Sequence, residues 1–211
     1  MRNFRLGSLT ALLGTLWAGM AGPAASAQEV DLSEIGHTRG EADAPIAVVE
    51  FGDFACGACA LFHDTTWPEL DRDYVQTGRI VWRHVPFILG FPRGDDATKA
   101  GECAAVQGEY WGMHDRLFGQ QDEWKEGRKH KEIFFRYAQE LGLDEEAFRE
   151  CYDKNRGKDR TKQANRAAKD LGIRATPTFF VDGFRVQGAL SVEAFTALLE
   201  EAAARREANG S

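Results

Sequence analysis

Four cysteines, at positions 56, 59, 103 and 151, are the residues of this chain best suited to covalent chemistry. Two of them stand close together in Cys56-Gly57-Ala58-Cys59. Where such a tetrapeptide opens a helix, both sulfurs lie on its first turn, within reach of a disulfide. Cys56 then sits where unpaired backbone N–H groups and the helix dipole favour a thiolate, making it an available nucleophile and a good leaving group. Cys59 faces back toward the core, placed to attack a mixed disulfide on Cys56. By itself the spacing also fits an inert disulfide or half of a zinc site. Zinc normally takes four ligands, however, and Cys103 and Cys151 are isolated far along the chain. His63, one turn past Cys59, reads as an ordinary helix residue rather than a ligand. No metal and no cofactor is expected. Four cysteines allow three pairings, and their positions alone do not choose between them.

A reactive pair needs a strand that ends beside it and a helix that begins at it. Ile46 to Phe51 is an apolar, β-branched run interrupted only by Glu50, and Gly52-Asp53 ends it. From Cys56 a helix is expected, with Cys59, Phe62, Leu70 and Tyr74 near helical spacing; Pro68 makes it kink or divides it in two. Ile80 to Val85 reads as a second strand. After Pro86 the period turns helical for a long stretch, marked by Cys103, Trp111, His114, Phe134, Tyr137, Phe148, Cys151 and Ala164, with Asp144 as a helix cap. Strand character returns at Thr178 to Val181, turns at Asp182-Gly183 and runs back over Phe184 to Gln187. Ser191 caps a last helix, and the polar tail from Arg205 is expected to fray. Residues 28–45 form a polar lead-in with room for one short edge strand.

The order is that of a small α/β unit carrying an all-helical insertion. Its expected parts are 28–86 and 173–211 for the α/β unit, with 87–172 as the inserted helical domain. Ahead of them, Arg2 and Arg5 precede an apolar run from Leu6 to Met20 and the small-residue site Ala25-Ser26-Ala27, which reads as a cleaved signal peptide over 1–27. Its apolar core is shorter than the roughly 20 residues a bilayer requires. The product is expected to be exported. In 211 residues, 33 acids against 26 Lys and Arg leave a net charge of -7, which excludes a basic nucleic-acid-binding face.

Phe54-x-Cys56-x-x-Cys59 after an apolar strand, together with Thr176-Pro177-Thr178 before the turn at Asp182-Gly183, resembles the DsbA-type thiol–disulfide oxidoreductases of the thioredoxin superfamily. The likeness runs from about Pro45 to Leu199 and includes the segment from Gln107 to Phe118 in the helical stretch. It implies a thioredoxin fold with an inserted all-helical domain. It also implies a cis Pro177, with the backbone of Thr176 beside the disulfide as a substrate-binding edge. Glu50 matches the buried acid beneath the active-site disulfide that helps move a proton to or from Cys59. Phe54 and Trp82 are expected to pack, and His114 to be a satisfied structural histidine. With Cys56 and Cys59 committed to each other, Cys103 and Cys151 are left to form a structural disulfide.

The activity implied is that of a periplasmic thiol:disulfide oxidase. Its substrates are reduced exported proteins, a membrane quinone-linked partner reoxidises it, and it acts as a monomer. The sequence departs from the strongest oxidants at Gly57-Ala58, where they carry Pro-His. The expected potential therefore lies between about -270 mV, as in thioredoxin, and about -120 mV. An isomerase or reductase with the same redox pair is the alternative, and a non-catalytic thioredoxin-fold binding protein ranks below it.

Overall fold

The computed structural model describes Leu32 and residues 35–209; the expected signal peptide, 1–27, lies outside the described residues. Strands β1 (His37–Arg39), β2 (Ile46–Gly52), β3 (Ile80–Pro86), β4 (Thr178–Val181) and β5 (Phe184–Gln187) form one sheet in the order β1-β3-β2-β4-β5. β2 runs parallel to β3 and antiparallel to β4. A parallel pair needs a crossover. Here it is α1 (Gly57–Thr65), α2 (Trp67–Leu70) and a π-helical turn (Asp71–Val75). Pro68 lies in the first turn of α2, where its missing N–H costs nothing, so the run divides at Thr66 rather than kinking.

Alternation along β2 sends Ile46, Val48 and Glu50 to one face and Phe51 to the other. On the first face Val48, Trp82 and Phe179 pack against Phe62 and Leu70 of the crossover and against Phe195 and Leu199 of α9 (Val192–Asn209). On the second, Phe51, Val85 and Phe87 meet Ala164, Ala167 and Ala168 of α8 (Lys158–Asp170). Each fully buried Phe or Leu of these layers stabilises the fold by about 1.5–3 kcal/mol.

Between β3 and β4 runs the helical insertion: α3 (Gly94–Val106), α4 (Tyr110–Gly119), α5 (Gln121–Glu126), α6 (His130–Glu140), α7 (Glu145–Lys154) and α8. The architecture is a thioredoxin-type α/β core with an all-helical region inserted. The short α5 has no signal of its own in the sequence. Asp144 caps α7, its Oδ1 accepting the Ala147 N–H at 2.8 Å. A disulfide between Cys103 and Cys151 ties α3 to α7. The apolar core of the insertion continues without a break into Phe54, Ala55, Cys56 and Cys59.

The expectation of a frayed tail from Arg205 is corrected: α9 runs to Asn209. Arg206 pairs with Asp182 in the β4–β5 turn, while Arg205 bonds Glu201 at 2.6 Å and lies over the Phe184 ring. Asp182 and Gly183 hold φ of 48° and 86°, the left-handed pair a tight hairpin turn requires, so the Asp182 carboxylate projects where the helix ends.

Candidate active site

The loop from Gly52 to Cys56 is built around Asp53. Its carboxylate accepts the Ala55 N–H at 2.9 Å and the Leu89 N–H at 2.8 Å, and its carbonyl accepts the Cys56 N–H at 2.9 Å. Burial pushes the Asp53 carboxyl up to about 6, against the pull of those two N–H donors, and the charge of Cys56 adds to the rise. Gly94 must lack a side chain, since a Cβ there would come within 2.6 Å of the Asp53 carboxylate.

Cys56 occupies the N-cap of α1 in extended conformation, where a Ser or Asp oxygen would ordinarily take up the first free N–H groups. A thiolate can serve that purpose. The largest influence on Cys56 is the Cys59 thiol, which donates to its sulfur; burial opposes, and the Thr176 side chain and the N–H groups of Cys59 and Ala58 assist. Together they bring Cys56 down to about 5. Cys59, wholly buried, is pushed well above the ordinary thiol range by burial, by its bond to Cys56, and by the charges of Cys56 and Glu50. The two sulfurs are unbonded in the structure, one poised to be charged and the other to keep its proton.

Thr176 and Pro177 come from the other end of the chain and lie beside this pair. The Thr176–Pro177 bond is cis, and the Thr176 carbonyl accepts the Cys56 thiol at 3.4 Å. On the opposite side, Gln121 of α5 donates its amide to the carbonyls of Phe54 at 2.7 Å and Cys56 at 3.0 Å. The insertion thereby holds the loop that presents the nucleophile. Nothing in the sequence singles out Gln121.

Glu50 is completely buried beneath the pair. The parallel register sets it against His84 and one pleat beyond Trp82, whose indole donates to Oε2 at 3.2 Å. His63 Nε2 meets Oε1 at 3.0 Å and Oε2 at 3.2 Å. Burial alone would raise the Glu50 carboxyl; the charge and hydrogen bond of His63, with smaller help from the Trp82 indole, outweigh it, and the group lies below its ordinary range. Gly52 leaves room for this, because a Cβ there would reach within 2.6 Å of His84 Nε2.

Two expectations need correction. His63 is bonded to the buried acid rather than an ordinary helix residue. Trp82 packs as expected and also donates to that acid. His114 is only half satisfied: Nδ1 meets Asp115 at 2.8 Å, while its buried Nε2 has no partner among the described residues. His84 is likewise buried, taking the Tyr110 hydroxyl on Nδ1 at 2.5 Å. Desolvation holds both His84 and His114 well below the ordinary imidazole range, hence neutral. The spacing of four between Cys59 and His63 was the one available signal, since it places both on the same helix face.

A family model described as Thioredoxin matches residues 32–201. Among curated proteins, the Na(+)/H(+) antiporter NhaA 3 of Salinispora tropica is 40% identical over 166 residues, which cover 79% of this chain and 24% of that protein. The chain thus spans about a quarter of the length of that relative. Among solved structures, alpha-DsbA1 of Wolbachia pipientis superposes with a TM-score of 0.72 at 24% identity, over 82% of this chain and 94% of that one. Oxidised BdbD of Bacillus subtilis gives 0.72 at 22% identity, over 78% and 91%. With its DsbA-like architecture and a Cys-x-x-Cys pair at the start of α1, the chain belongs to the thioredoxin family.

Proposed function

We propose that the protein is a thiol:disulfide oxidase that introduces disulfide bonds into reduced exported proteins, working in the periplasm after loss of residues 1–27. The observation that carries this reading is the placement of the two thiols, Cys56 at the N-cap of α1 and Cys59 buried on its first turn. That setting brings Cys56 down to about 5, and a stabilised Cys56 thiolate favours the reduced enzyme over its disulfide. A substrate thiolate attacks Cys56 Sγ, the Cys56–Cys59 bond breaks, and Cys59 leaves with the electron pair and takes up a proton. The second thiolate of the substrate then attacks its sulfur joined to Cys56, forming the product disulfide and releasing Cys56 as a thiolate. Two electrons have passed to the enzyme.

In this reading Cys56 and Cys59 are the redox pair and Glu50 is the acid that exchanges the proton of Cys59. Thr176 and Pro177 offer the edge against which substrate backbone lies. Cys103–Cys151 staples the inserted domain, 87–172, and has no redox role. A membrane quinone-linked protein withdraws the electrons again, and the enzyme acts as a monomer. Equilibration with glutathione, read together with thiolate absorbance against pH, tests it. A potential above about -270 mV is expected, with Cys56 ionising at about 5. A Cys56 pKa near the free-thiol value of about 8.5 with a potential near -270 mV would favour the reductase alternative.

A further inference from the structure

Cys59 and Glu50 are both wholly buried, so a proton shed or taken up by Cys59 needs a way to water. Three side chains donate to or crowd the Glu50 carboxylate. Trp82 is a donor only and relays nothing. His84 has its Nδ1 tied to Tyr110 in the interior. His63 differs from both. Its Nε2 spans the two Glu50 oxygens, and its buried Nδ1 has no partner among the described residues. Its ring is clamped flat on Phe118, with centroids 4.1 Å apart and planes 4° apart. The same residue lines a cleft of about 300 Å³ behind α1, with Arg39, Asp64, Trp67, Asp71 and Asp115. That space accommodates several waters at about 30 Å³ each. Asp64 is exposed and the Asp115 side chain is half-exposed, so the cleft meets solvent.

Resting on the oxidase reading above, we infer that His63 is the positioning residue of Glu50 and the station through which the proton of Cys59 reaches solvent, by way of the cleft behind α1. In the step that closes the enzyme's disulfide, the Cys59 S–H bond breaks and its sulfur attacks Cys56 Sγ. The bond from Cys56 to the oxidant's sulfur breaks, and that sulfur leaves with the electron pair as a thiolate. The proton passes to Glu50, and the Glu50–His63 pair releases one from Nδ1 into the cleft. During substrate oxidation the flow reverses. The charged groups around the ring are Glu50 from β2, Arg39 from β1, Asp64 from α1, Asp71 from the π-helical turn and Asp115 from α4; His84 and His114 complete the surround. Arg39 is already paired with Asp71 at 2.7 Å and Asp115 at 3.5 Å, so it does not displace His63 from Glu50.

The test is single-turnover oxidation of the reduced full-length mature protein by glutathione disulfide, followed from pH 5 to pH 9 in H2O and D2O. His63→Gln keeps a donor to Glu50 without a titrating ring, and His63→Ala opens a hole into the cleft. For both, formation of the mixed disulfide at Cys56 is expected to hold, while closure by Cys59 slows about a hundred-fold and its pH profile changes from that of the wild type. Added imidazole should restore closure in His63→Ala. Closure at the wild-type rate and pH profile in His63→Gln would overturn the inference. So would a slowed His63→Ala that imidazole does not rescue and whose Cys56 ionisation has shifted, which marks a structural role. A wild-type protein that fails to exchange with glutathione at all would instead overturn the oxidase reading.

Discussion

The Cys56–Cys59 and Cys103–Cys151 pairs lie in one continuous apolar cluster, and none of the four residues is more than 4% exposed. Burial therefore does not separate the free thiols from the disulfide here. Position on the helix does. Cys56 caps the start of α1, facing free N–H groups, and Cys59 follows within the first turn. Cys103 and Cys151 sit in the later halves of α3 and α7, where backbone N–H groups are already used and the dipole disfavours an anion. One pair is left as thiols of unequal affinity for a proton, and the other is closed. The contrast shows two equally buried cysteine pairs distinguished by place on the helix, with the Cys59 thiol, the Thr176 side chain and the first-turn N–H groups all acting on Cys56.

The sharpest break of that contrast is to remove each pair in turn. Cys56→Ser should abolish thiol–disulfide exchange while leaving the fold intact. The double variant Cys103→Ala, Cys151→Ala should exchange at the wild-type rate and lose stability in urea. A bridge closing a separation of 48 residues contributes roughly 4 kcal/mol on the chain-entropy account. Loss of exchange in the double variant would mean that the insertion, through Gln121, governs the nucleophile's loop.

The second prediction compares reduced and oxidised protein across pH. Cys56 is depressed to about 5 in the fold, so its contribution to the reduced form is present at high pH and is lost as pH falls through about 5. The stability margin of the reduced over the oxidised form should therefore grow by roughly 2–3 kcal/mol between pH 5 and pH 7. Asp53 has the opposite sign: an acid raised to about 6 loses folded-state stability as pH climbs toward 6. It is present in both redox forms, so the difference between their unfolding curves largely cancels it. A margin independent of pH would show that the donors at α1 do not hold a thiolate.

The smallest effect belongs to the inert side. Asp144→Ala removes the cap of α7, the helix that carries Cys151, and should cost about 1 kcal/mol with no change in exchange rate. Thermal unfolding and glutathione exchange measured on the same sample check both halves.

How much of this was legible beforehand follows from the range of each interaction. The strand at Ile46, the helix opened by Cys56, the cap at Asp144 and the turn at Asp182-Gly183 are decided by residues within a few positions of one another, so pattern and spacing reveal them. The redox pair itself is local in the same sense, and its reactive order follows from place on one helix. The bond from the Cys56 thiol to the Thr176 carbonyl spans 120 residues, and the bonds from Gln121 span 67 and 65. Those contacts exist because β4 docks against β2 and the insertion packs over α1; the first was legible only through the Thr176-Pro177 motif and its family resemblance, and the second leaves no mark at position 121. The setting of Glu50 is of this second kind. A carboxylate in an apolar strand signals a cost that needs a partner, but which partner depends on the parallel register that brings His84 and Trp82 alongside and on the helix face that lowers His63 onto it. A one-residue slip of that register would turn the set to the other side of the sheet, so the surroundings of Glu50 were decided only when the strands paired.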